Sequence, residues 1–237
     1  MALDRTRLDE LVWVEALSDD QTREDAAMAE LMAEATRDID HLTAVLLDAL
    51  RETNGAGNDA SGYDAVLEAI RRAQPAAFAR LLQLVPHEPA LWDALYFLRI
   101  GDDSPISEII DALGAATISR AWHNYERTKE DRSWWAIDVL HDLTVHDHDE
   151  GLHRELLLQL VSDADDETMW TLAAGPVEDF LQPEAANRDL IESRVSWIEE
   201  QARRDPKLRH VLTGVWVTSL RPDVAARVDA ARLHVQN

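Results

Sequence analysis

Cysteine is absent from the 237 residues, which excludes disulfides, thiolate metal centres, iron–sulfur clusters and a cysteine nucleophile. Lysine is almost absent too, with Lys129 and Lys207 the only two. Lys and Arg together number 23 against 46 Asp and Glu, a formal net charge of -23. A chain of that sign repels nucleic-acid phosphates and anionic lipid surfaces, so direct binding to either is not expected. Its apolar runs, such as Thr43 to Leu47 and Leu156-Leu157-Leu158, fall far short of the roughly 20 residues of a membrane helix. The start, Met1-Ala2-Leu3-Asp4-Arg5 with Asp9, Glu10 and Glu15 soon after, lacks the basic and apolar regions of a signal peptide, and a cytoplasmic address is expected. Also missing are a Gly-x-Ser-x-Gly elbow, a Gly-Lys-Ser/Thr phosphate loop, a kinase signature and an EF-hand loop. The common motif-marked enzyme classes therefore lack support, and no cofactor is expected.

Strand-like alternation is lacking as well, whereas helical spacing recurs along the chain, so an all-α fold of antiparallel helical hairpins is expected. The hairpins would form an irregular bundle or a short solenoid-like stack. Met28, Met32, Ala35, Ile39, Leu42, Leu46 and Ala49 repeat in steps of four and three, the pattern of a helix seam. This predicts one long helix over about 21–52, docked on its own neighbours or, as a possible homodimer, on a second copy. The Gly-rich stretch 54–62 follows as a loop; it has no preceding strand and so does not meet the requirements of a phosphate-binding loop. Residues 1–125 are expected to form an N-terminal helical region and 126–237 a C-terminal helical domain. Proline after a capping position marks helix starts at Pro75 and Pro105. The eight tryptophans are assigned to core packing.

Two local groupings carry potential chemistry. His141, His146, His148 and His153 alternate with Asp142, Asp147, Asp149 and Glu150, and His141, His146, His148 and Glu150 are the candidate metal ligands, since imidazoles and carboxylates hold zinc and similar ions. A metal-dependent hydrolase built there is the enzymatic alternative. The competing reading is a polar connection in which Asp147 or Asp149 caps the next helix. The second grouping is Leu172-Ala173-Ala174-Gly175-Pro176-Val177-Glu178-Asp179-Phe180-Leu181. Gly175 is expected to make a tight turn and Pro176 to begin a helix whose first turn bears Glu178 and Asp179.

That segment, preceded by Asp165 to Trp170 and followed by Asp205 to Trp216 with its Thr213-Gly214-Val215-Trp216 ending, resembles a bacterial domain family of unknown function over roughly residues 131–220. Val177 stands where the family usually has leucine. The resemblance implies a compact helical domain and no established activity. It leaves Glu178, Asp179, Trp170 and Trp216 as binding candidates.

The acidic surplus extends over both halves of the chain. A non-enzymatic helical interaction module is therefore expected, with a basic protein as partner and an immunity or antitoxin-like inhibitor as its most specific form. The alternatives are the metal-dependent hydrolase, a homo-oligomeric structural component joined through the Met28–Ala49 seam, and acidity as adaptation to high salt.

Overall fold

A computed structural model describes residues 3–17, 21–56, 60–100, 104–145, 149–182 and 188–233, and among them it contains helices and no strands. The chain divides into two compact units, Met1–Leu113 and Gly114–Asn237. Residues 125 and 126, expected to flank the boundary, both lie within one helix of the second unit. The chain enters that unit through Gly114, whose φ of 76° lies in the left-handed region that glycine occupies without penalty. No helix among the described residues is long and apolar enough to cross a membrane.

Unit 1 contains α1 (Arg5–Leu17), α2 (Gln21–Arg37), α3 (Ile39–Ala56), α4 (Asp64–Ala73), α5 (Pro75–Leu82), α6 (Pro89–Ala94), α7 (Tyr96–Ile100) and α8 (Ile106–Leu113). The predicted single helix over 21–52 is two helices. At Asp38 the side chain accepts the His41 N–H at 3.1 Å, which starts a new helix where the old one would have continued. The interruption lets the two halves bury different faces. α2 turns Ala27, Leu31 and Ala35 inward, and α3 turns Leu42, Leu46 and Ala49 inward. Ala35, Leu42, Leu46 and Ala49 of the seam are thus covered within their own unit, where α2 packs on α4 and α3 on α6. Each fully buried leucine contributes about 1.5–3 kcal/mol relative to exposure.

Helices α6 and α7 meet at Leu95. Pro75 and Pro89 open α5 and α6 at positions where the missing N–H has no helical partner to lose. Pro105 precedes α8, and its carbonyl accepts the Ile109 N–H at 2.9 Å.

Unit 2 contains α9 (Ala115–Thr128), α10 (Trp135–Val145), α11 (Glu150–Asp163), α12 (Met169–Leu172), α13 (Glu178–Leu181), α14 (Arg188–Arg204), α15 (Pro206–Leu212) and α16 (Pro222–Arg232). Asp149 caps α11, its carboxylate accepting the N–H groups of Gly151 at 2.8 Å and Leu152 at 3.1 Å. Asp205 caps α15 in the same way through Lys207 N–H at 2.8 Å, with Pro206 following. α9 packs on α10 and α11, α11 on α15, and α14 on α15 and α16, around a core that includes Leu156, Leu160, Phe180, Ile198 and Leu212.

Gly175 and Pro176 do not make the expected turn and helix start. Residues Ala173–Val177 form a single π-helical turn joining α12 to α13, so the chain stays helical from Met169 to Leu181. Proline has no N–H to donate and its ring crowds the preceding turn; the wider π turn makes room for it. Glu178 and Asp179 consequently continue an existing helix.

Candidate functional site

The π turn brings two distant parts of the sequence together. Trp170 lies on α12, just before the turn, and Gly214 lies just after α15. A Cβ built on Gly214 would sit 2.7 Å from Trp170 Cε3 and 2.8 Å from the Ala173 Cβ, so only glycine admits this approach. Two residues beyond Gly214, the Trp216 backbone N–H donates to Glu178 Oε1. The Ser219 hydroxyl donates to the Trp216 carbonyl at 2.6 Å and lies 3.3 Å from Glu178 Oε2. Glu178 therefore anchors the chain after α15 to the helix after the π turn. On the same segments, Val177, Phe180, Val211 and Val215 are buried.

The two indoles held in this way are not core residues. Trp170 is 54% exposed and Trp216 69%, and Trp134 at 46% is a third departure from the core assignment. Trp92, Trp122 and Trp135 are buried as expected. Trp134 instead meets Tyr125 edge to face at 5.2 Å. Of the four binding candidates, Glu178 and Trp216 are in direct contact, and Trp170 joins them across Gly214. Asp179 is exposed beside Glu178.

Below Trp170, a polar network reaches into the unit. His123 is 2% exposed. Its Nε2 lies 3.0 Å from the Leu160 carbonyl oxygen and its Nδ1 2.8 Å from Thr168 Oγ1. A carbonyl only accepts, so Nε2 carries a hydrogen and donates it there, while the Thr168 hydroxyl that meets Nδ1 donates to Asp165 Oδ1 at 2.9 Å. Burial lowers the His123 pKa from its ordinary 6.5, while its bond to Leu160 opposes that shift. Asp165 accepts the Thr168 N–H at 3.1 Å and is paired with Arg127, and those partners hold its carboxyl well below the usual range, Arg127 contributing most.

Of the candidate metal ligands, His141 and Glu150 lie among the described residues. His141 is exposed on α10, while His153 is buried on α11, edge to face with Phe180 at 4.9 Å. Glu150 is engaged by Arg194, whose Nε donates to Glu150 Oε1 at 2.8 Å, and by Arg154. Arg194 is itself 2% exposed and also donates to the Phe180 carbonyl at 3.1 Å. His146 and His148 lie outside the described residues, among which no group of three or more His, Asp or Glu could hold a metal ion.

Sequence reasoning passed over Gly214 as a packing position, and it did not identify Arg194 or His123. A buried arginine has no local signature, because its partners Glu150 and Phe180 lie 44 and 14 residues away. Gly214 was visible within Gly-Val-Trp, but the ring that requires it is on another helix.

Fold and surface together define an acidic all-α unit that displays two indoles on an internally anchored loop and π turn. Residues 123–235, within this unit, match the family of unknown function DUF6869. The sequence resemblance over about 131–220 is thus to a family without an assigned activity, and the match extends beyond it at both ends. No curated protein and no solved structure matches the chain.

Proposed function

We propose that this protein is a non-enzymatic helical interaction module of the bacterial cytoplasm that binds a basic protein. The observation that carries the reading is the pair of exposed indoles on a strongly acidic chain, Trp170 packed against Gly214 and Trp216 with its backbone anchored by Glu178. Exposed aromatic side chains held without much conformational freedom are what interfaces use as anchors. The carboxylate surplus adds long-range attraction that speeds encounter with a cationic partner and weakens with salt. In its most specific form, the module covers a basic toxin and inhibits it, as immunity and antitoxin proteins do.

The test is affinity capture of the tagged full chain from its host at low and high salt, followed by purification of any retained protein and measurement of its binding. A basic protein that binds one to one, with Kd rising as salt is raised, supports the reading. Capture of no basic protein at low salt, or binding indifferent to salt, defeats it. Coexpression then checks the inhibitor form: relief of the partner's toxicity is the expected result.

A further inference from the structure

Exposed Trp170 and Trp216 differ from Trp92 and Trp197 in what covers their faces. Arg99 places its guanidinium 3.9 Å from the Trp92 ring centroid, and Arg154 lies 5.7 Å from that of Trp197. Among the described residues, these are the cations that lie over indole rings, and none lies over Trp170 or Trp216. The chain's own arginines are paired with carboxylates, among them Arg127 with Asp165 and, at 4.0 Å, Glu167, Arg194 with Glu150, and Arg227 with Glu192 and Glu199. Close to the two uncovered indoles, Asp166 and Glu167 are exposed in the turn before α12, and Asp179 is exposed on α13.

We propose that the Trp170–Trp216 surface is an arginine-recognition site: it receives guanidinium groups of the partner on its indole faces, with Asp166, Glu167 and Asp179 supplying opposite charge. This rests on the interaction reading above and specifies the chemistry of that partner. A guanidinium suits such a surface better than an ammonium. It is planar and weakly hydrated, so it stacks on an aromatic face at small desolvation cost, and its remaining donors stay free for carboxylates. Lysine offers the same charge without the plane. The same carboxylates disfavour phosphate-bearing ligands, so the surface fits a protein segment rather than a nucleic acid or an anionic lipid.

The experiment uses the full chain labelled with nitrogen-15, titrated with nona-arginine, nona-lysine and a neutral peptide of equal length while the indole N–H signals are followed. Loss of one signal in Trp170→Phe and of another in Trp216→Phe assigns the two resonances. The expected result is movement of these two signals with nona-arginine, affinity for nona-arginine roughly two- to fivefold above that for nona-lysine, and no response to the neutral peptide. Trp216→Ala is expected to lose that preference without losing thermal stability, because its ring is mostly in solvent. Equal affinities for the two cationic peptides, shifts confined to other indoles, or no binding of nona-arginine overturn the proposal. Should the basic partner captured from the host bind Trp216→Ala with unchanged Kd, the arginine site falls while the interaction reading stands.

Discussion

The edge of the Trp170 ring occupies the space where a side chain on residue 214 would begin, with Cε3 2.7 Å from the position of a Cβ. Neither the glycine nor the tryptophan can change without the other giving way. Since Trp170 is also covalently close to the π turn, this contact links α12 to the chain after α15.

Gly214→Ala is therefore expected to destabilise the protein by about 1–3 kcal/mol, the usual cost of forcing a methyl group into filled space. Thermal unfolding measures the loss. The Trp170 indole signal should move as well, because the ring is the neighbour able to swing outward.

Glu178 offers a milder test of the same region. Glu178→Ala removes the acceptor of the Trp216 N–H, and at a partly exposed site this should cost about 1 kcal/mol. Amide hydrogen exchange at Trp216 should accelerate, while Glu178→Gln, which keeps an oxygen acceptor, should restore much of the protection.

Arg194 is the most consequential buried charge in unit 2. Truncation by Arg194→Ala leaves the Phe180 carbonyl without this donor and Glu150 with Arg154 but not Arg194 as charge partner, with an expected loss of about 3 kcal/mol. Arg194→Lys should recover only part of it, since an ammonium cannot reproduce the fork that spans both acceptors. Denaturant unfolding of the three proteins would rank them.

His123 predicts a pH dependence with a defined sign. Burial lowers its pKa in the folded state below the ordinary 6.5, so the unfolded chain takes up a proton that the folded chain refuses. The stability associated with neutral His123 is present above pH 6.5 and is lost as pH falls toward the lowered value. The carboxylates Asp163 and Asp165 are also lowered, from an ordinary 3.8, and their contribution disappears at more acid pH. Comparing wild type with His123→Gln between pH 7 and 5 isolates the histidine: the variant should show the shallower decline.

Much of this protein was legible from local pattern. Helical periodicity, capping by Asp149, and proline at the start of α5 depend on residues within a few positions of one another, and the structure contains each of these features. The errors share a physical origin. Asp38 fits an exposed helix face as well as a cap, and only the different partners of α2 and α3 decide for the cap. Gly175-Pro176 reads as turn and start until the surrounding packing favours a continuous helix with one widened turn. Tryptophan is apolar enough to be placed in a core by default, yet Trp170 and Trp216 stay largely in solvent while their neighbours in sequence Val177, Phe180 and Val215 are buried.

By itself, the sequence determined the helical class and the acidic character, since backbone hydrogen bonding and net charge are short-range or additive properties. Tertiary structure alone decided that Glu178 would meet Trp216 and that Gly214 would meet Trp170. Those outcomes depend on which helix faces pack together, and contacts between residues about 40 positions apart have no signature in the local pattern of either partner.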